Sequence, residues 1–258
     1  MLTRRIGRVT MRKITKSPNH LGNPPLVAVA HGSRLGEAKD SIQNLLSLVQ
    51  AMRPGLVVCD SYIELSAPSL TETLALSNSE TVVVPLLLTR GVHLAQDVHQ
   101  VAERFGFTTS TALGPDPLLT DVVEERLKQT HAPLHLPIVL AAAGSDDPLG
   151  NQDVQVVADE LSVRRGVRVS VGYLGSHQPN FFEVVETFRA QKQDFAVATY
   201  LLSPGRFSRL LSQSGSRWIA EPLGTHPLLA KIVLARYDQA LLGSVQSPMC
   251  VGARNSSR

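Results

Sequence analysis

Residues 26–33, LVAVAHGS, and residues 138–145, IVLAAAGS, are one phrase written twice. Each is a short apolar run that ends in a glycine and a serine, the pattern of a strand buried on both faces as it enters a loop. Working outward from that pair, three more matches follow in the same order. Tyr62 and Pro68 correspond to Tyr173 and Pro179 at the same separation. Leu87-Leu88-Thr89-Arg90-Gly91 corresponds to Leu201-Leu202-Ser203-Pro204-Gly205. Leu113-Gly114-Pro115-Asp116-Pro117-Leu118-Leu119 corresponds to Leu223-Gly224-Thr225-His226-Pro227-Leu228-Leu229. The offsets stay between 110 and 114 residues. That period is too long for a solenoid, so the chain is a tandem duplication joined by His131 to Pro137.

Within the first copy, strand and helix alternate. After residues 26–30, Ile42, Leu45, Leu46 and Val49 recur at helical spacing between Leu35 and Met52, and Pro54-Gly55 stops that helix. LVVCDSYI (56–63) reads as a second strand, after which Ser66 stands where an N-cap belongs, with Pro68 in the first turn. TVVVPLLL (81–88) reads as a third strand. Pro85 lacks a ladder N–H, so a bulge or an edge is expected there. Residues 93–104 carry a helical pattern, a short strand ends near Gly114, and a helix spans Pro117 to Leu127. The fold class is therefore α/β: two similar domains, each a mostly parallel sheet flanked by helices, facing each other across a cleft. The expected domains are a disordered basic leader (1–24), an N-terminal domain (25–130), a degenerate C-terminal repeat (138–243) and a flexible tail (244–258).

The 258 residues are 43% hydrophobic and 18% charged, enough for real cores and too little charge for a chain of solvated helices. The net charge of +3 comes from the leader: Arg4, Arg5, Arg8, Arg12, Lys13 and Lys16 face no acid in residues 1–20. Removing those six from 25 leaves 19 basic against 22 acidic residues, or −3 for the body. No nucleic-acid partner is expected on charge, and no membrane partner, because no apolar run approaches the roughly 18–20 residues of a spanning helix. Cys59 and Cys250 make neither a disulfide framework nor a CxxC site, which points to the cytoplasm. The leader lacks a signal peptide's apolar stretch. It reads as disordered, as a start placed before Met11, or as a short serine-poor transit peptide.

The two copies differ where chemistry is expected. His31 aligns with Ala143, Glu64 with Gly175, and His93 with Phe207 or a neighbour. All three first-copy residues fall at the C-terminal ends of parallel strands, the edge where open α/β sheets bind ligands. Two imidazoles and a carboxylate there suit a divalent first-row metal or proton transfer near neutral pH. Taken singly, each histidine also fits a helix cap or a polar niche.

Three motifs carry a resemblance: HGSR (31–34), YIELSAPSL (62–70) and VVVPLLLTRGVHLAQDV (82–98). In order and spacing, residues 26–130 resemble the class II tetrapyrrole chelatases, specifically the CbiX/SirB-type sirohydrochlorin chelatases. The second copy looks like the degenerate repeat of that family's long, two-domain members. His99 stands where many members have proline, in the helix after the site. The resemblance implies insertion of Fe²⁺, or alternatively Co²⁺ or Ni²⁺, into sirohydrochlorin to give sirohaem or a cobalamin-type product. It implies metal contacts at His31, Glu64 and His93, with no permanent cofactor because the metal is a substrate. The two imidazoles are then expected within about 4–5 Å of one another.

His31 and His93 would share the proton-acceptor role, with Glu64 as third ligand or relay. Asp97, four residues after His93, either orients that imidazole or is a first-turn acid favoured by the helix dipole. For the macrocycle's carboxylates the candidates are Ser33 with Gly32 as loop N–H donors, and Arg34, Arg90, Arg206 and Arg209, each of which also fits an ordinary surface charge. Leu86, Leu87 and Leu88 either wall the ring or fill the core, and Phe207 either stacks on it or is buried. A monomer is expected, because one chain supplies both sides of the cleft. A non-catalytic tetrapyrrole or metal carrier is the alternative of another class. A phosphatase using HGSR has the residue order wrong.

Overall fold

The structure is a computed structural model and describes residues 23–77, 80–91, 93–175 and 177–245. The expected leader up to residue 22 and the tail beyond residue 245 lie outside the described residues.

The first half runs β1 (Leu26–Ala30), α1 (Gly36–Met52), β2 (Val58–Tyr62), α2 (Leu70–Ala75), β3 (Val82–Pro85), a π-helical segment (His93–His99), α3 (Gln100–Arg104), β4 (Thr108–Thr109) and α4 (Pro117–Gln129). The second half repeats it: β5 (Ile138–Ala142), α5 (Pro148–Arg165), β6 (Val169–Tyr173), α6 (Phe181–Ala190), β7 (Ala196–Tyr200), α7 (Arg206–Leu210) continuing into a 3₁₀ turn (Leu211–Ser214), β8 (Trp218–Ile219) and α8 (Pro227–Val245). Both sheets are parallel and four-stranded, in the orders β2-β1-β3-β4 and β6-β5-β7-β8. The identical strand order is the structural form of the repeat.

Strand alternation sorts the core. Val27 and Val29 of β1 pack outward with Leu70 and Leu74 of α2, while Val139 and Ala141 of β5 pack outward with Phe181, Val185 and Phe188 of α6. Leu26, Ala28 and Ala30 face inward, as do Ile138, Leu140 and Ala142, and these belong to one continuous core with α1, α4, α5 and α8. The halves exchange their last helices. Helix α4 packs against β7 and α5 of the second half, and α8 against α1, β3 and β4 of the first, with α4 and α8 meeting between them. Each sheet's inner face is thus closed by a helix from the other half. Truncating a fully buried contact such as Leu119 or Leu229 to alanine would cost about 2–5 kcal/mol.

The exchange is pinned by reciprocal hydrogen bonds. Arg126 of α4 donates to Leu223 O, and Arg236 of α8 donates to Ala112 O and Leu113 O. Arg236 also pairs with Asp116, the N-cap of α4. At the corresponding start of α8, His226 Nδ1 accepts from Leu228 N, so its Nε2–H points at Glu125 Oε2, 2.5 Å away.

Two local expectations change. Ser69, not Ser66, caps α2: its hydroxyl accepts from Glu72 N while the Glu72 carboxylate accepts from Ser69 N. Pro85 ends an interior strand without a bulge. Val83 O accepts from Ser110 N on the β4 side and Val29 O from Leu86 N on the β1 side. By that alternation the proline nitrogen faces the β4 side, where β4 has already ended at Thr109. Residues 93–104 are helical as expected, π-helical over His93–His99 and α-helical over Gln100–Arg104.

Candidate active site

The loops that follow β1, β2 and β3 meet at the C-terminal edge of the first sheet, and the loops after β5, β6 and β7 close over them. Together they line a cavity of about 830 Å³. Its walls include His31, Gly32, Ser33, Lys39, Tyr62 and Leu86 to Gly91 from the first half, and Gly144 to Asp146, His177 and Tyr200 to Ser208 from the second.

Gly32 brings the first two loops together. Its φ of +98° favours glycine, and a Cβ there would lie 1.8 Å from Glu64 O. Glu64 N donates to His31 O at 3.0 Å, and Ser66 Oγ accepts from Ser33 N while donating to Ser33 O. With the backbones tied, His31 Nε2 stands 3.4 Å from Glu64 Oε1. His31 lines the cavity, Glu64 stands beside it outside the lining, and the two side chains are 43% and 53% exposed. Among the described residues no group of three or more metal-ligating side chains occurs. The side chain of His93 is outside the description, so its expected approach to His31 is too; its backbone opens the π-helical segment. Asp97 lines the cavity from that segment.

The second half keeps the frame without these side chains. Gly144 has φ +90°, and Gly175 N donates to Ala143 O at 3.0 Å, as Glu64 does to His31. A different pair lies nearby: His177 Nε2 is 2.9 Å from Asp146 Oδ1, while His177 Nδ1 is buried without a hydrogen-bond partner among the described residues. Sequence comparison missed this pair because it aligns with Ser66 and Arg34, not with His31 and Glu64. The signal available was the histidine two residues after Gly175.

The expected anion contacts separate. Ser33 N–H is spent on Ser66 Oγ. Arg34 is exposed and outside the cavity lining. Arg90 lines the cavity, but its guanidinium pairs with buried Asp153 at 2.5 Å. Arg206 is exposed on the cavity wall. Arg209 is outside the lining and pairs loosely with Glu37 at 3.3 Å. Lys39, not singled out from sequence, lines the cavity, donates to Ala67 O and sits 5.6 Å from the centre of the Tyr62 ring. Burial, and then the hydrogen bond to Asp60, raises the Tyr62 phenol well above its ordinary pKa, so it stays neutral. Leu86 is buried and also walls the cavity beside Leu87 and Leu88; Phe207 is half-buried on the lining.

Comparison with known proteins fits this geometry. The CbiX family matches residues 25–130 and again residues 137–240. A sirohydrochlorin cobaltochelatase of Methanococcoides burtonii is 25% identical over 120 residues, covering 39% of this chain and 92% of that protein. The structure of SirB from Bacillus subtilis with Fe³⁺ superposes with a TM-score of 0.74 at 23% identity, covering 87% of this chain and 98% of that one. SirB from Bacillus subtilis subspecies spizizenii, in complex with cobalt, gives 0.69 at the same identity and coverage. At that identity the two structures establish the fold, and the doubled family match establishes the lineage. The chain belongs to the CbiX family, that of the sirohydrochlorin chelatases.

Proposed function

We propose that this protein inserts Fe²⁺ into sirohydrochlorin, with the ion held by His31, Glu64 and His93. The observation that carries the reading is the His31–Glu64 pair, 3.4 Å apart and half exposed, with His31 on the wall of a cavity lined by both halves, while the matched backbone of the second half bears Ala143 and Gly175. Insertion removes two pyrrolic protons and strips water from the ion, with no change of oxidation state. Neutral imidazole is both a ligand for Fe²⁺ and an acceptor whose ordinary pKa, about 6.5, suits cellular pH. Glu64 offsets part of the ion's charge and relays protons to the cavity mouth. Two imidazoles and one carboxylate, with His31 and Glu64 half exposed, hold the ion loosely enough to pass it on.

The ring lies between Leu86–Leu88 and the second half, with Phe207 against its face and Arg206, Lys39 and the remaining N–H groups of Arg90 toward its carboxylates. One chain supplies both walls, so the working unit is a monomer. Among the described residues no helix is long and apolar enough to cross a membrane. A reducing compartment such as the cytoplasm, where Fe²⁺ stays reduced, suits the reaction.

Co²⁺ is the second reading, favoured by the relative named as a cobaltochelatase. Anaerobic turnover with sirohydrochlorin and Fe²⁺, Co²⁺ or Ni²⁺ separates these. Fastest turnover with Fe²⁺ supports the proposal, fastest turnover with Co²⁺ moves it to the second reading, and stoichiometric binding without turnover identifies a carrier.

A further inference from the structure

The loop that leads to His93 is gripped by side chains of the other half of the molecule. Asp153, on α5, is a buried carboxylate with a side chain 1% exposed. It accepts from Arg90 N at 2.9 Å, from Arg90 Nε at 3.1 Å and from Arg90 Nη2 at 2.5 Å. Tyr200 donates its hydroxyl to Leu88 O at 3.1 Å. Gly150 lets the loop come close: a Cβ there would lie 2.3 Å from Arg90 O.

The grip is one-sided. By the repeat, Asp153 corresponds to Ser41, Arg90 to Pro204 and Tyr200 to Leu86. A serine, a proline and a leucine cannot reproduce these contacts, so the second half's own loop is not held this way. A device needed only for packing would be expected in both copies. This one sits only on the copy that carries the histidines and the glutamate.

We infer that Asp153 is a positioning residue for metal capture, fixing the course of residues 88–91 so that His93 is delivered to the site formed by His31 and Glu64. The inference rests on the proposed reading of His93 as a ligand. Groups that orient a ligand are worth about 10–100-fold in metal affinity, although Asp153 acts through the backbone and not on the imidazole.

The test is anaerobic Co²⁺ titration of the full chain, read by visible absorption, for wild type, Asp153→Asn and His93→Ala, with melting temperature and sirohydrochlorin affinity measured on the same samples. Asp153→Asn keeps the shape of the side chain but loses its charge and one acceptor. The expected result is Co²⁺ affinity about tenfold weaker and a spectrum displaced toward that of His93→Ala, whatever change in sirohydrochlorin affinity follows from releasing Arg90. A merely structural role would lower the melting temperature and leave affinity and spectrum of the folded protein unchanged, which overturns the inference. So would a loss of sirohydrochlorin affinity with Co²⁺ binding intact. If His93→Ala itself leaves Co²⁺ binding unchanged, the ligand reading fails instead. Should Asp153→Asn not fold, Tyr200→Phe carries the test on the same loop: about threefold weaker Co²⁺ binding is expected, and wild-type binding overturns the inference.

Discussion

After β1 and after β5 the backbone takes one path and the side chains take two. Gly32 and Gly144 share a left-handed conformation, and the same 3.0 Å backbone hydrogen bond joins the next loop in each half. On that common frame the first half places His31 and Glu64, and the second places Ala143 and Gly175. Duplication thus separated two demands that one copy would have to meet together. The metal-site side chains are kept in one copy, while packing, strand order and the exchanged helices are kept in both. The second half also does structural work for the first, closing its sheet with α8 and gripping residues 88–91 with Asp153 and Tyr200.

The comparison breaks most visibly if the halves are separated. Residues 23–136 alone lack α8, which covers the inner face of β3 and β4, and their α4 has lost its β7 surface. This fragment is expected to be insoluble or to dimerise by exchanging α4 between copies, as sedimentation will show. A stable monomer would mean that the helix exchange is dispensable.

A milder cut removes the exchange's pins. Arg236→Ala leaves Ala112 O, Leu113 O and Asp116 without their partner, and a loss of about 3 kcal/mol in urea unfolding is expected. Activity per folded molecule should be unchanged.

On the second half's wall, two neighbouring arginines are expected to behave differently. Arg206→Ala should raise KM for sirohydrochlorin about tenfold with kcat nearly unchanged, because the side chain faces the cavity and charged hydrogen bonds are worth about 1.5–3 kcal/mol. Arg209→Ala, outside the lining and in an exposed pair, should change KM less than twofold. Equal effects would show that the wall extends past α7.

The smallest effect concerns His99, which ends the π-helical segment. Burial, its main perturbation, lowers its pKa, against the opposing pull of a backbone hydrogen bond with Ser110. The folded protein therefore holds fewer protons at this site than the unfolded chain, and stability falls as pH drops below the ordinary imidazole value of about 6.5. His99→Gln should flatten the fall in melting temperature between pH 7 and 5.5; an unchanged slope would assign it to other groups.

Much of this was legible from residues alone. The duplication showed in AHGS against AAGS, and the loss of His31 and Glu64 from the second copy singled out two side chains that stand 3.4 Å apart. The helix exchange was hidden because Leu-Gly-Pro-Asp-Pro-Leu-Leu and Leu-Gly-Thr-His-Pro-Leu-Leu open both helices alike, and an amphipathic pattern does not say which sheet it covers. Ser66 looked like a cap because capping residues read locally, whereas its hydroxyl serves Ser33, 33 residues away. Arg90 looked like a free cation for the same reason: its partner Asp153 is 63 residues distant.

The central claim is that metal capture belongs to the first half alone. It is tested most directly by anaerobic insertion of Fe²⁺ and Co²⁺ into sirohydrochlorin by His31→Ala, His93→Ala and His177→Ala, each checked for an unchanged melting temperature. The account predicts a loss of at least about 100-fold for the first two and less than threefold for His177→Ala. Near-normal turnover by His31→Ala and His93→Ala together with loss in His177→Ala would contradict it and move the chemistry to the second half.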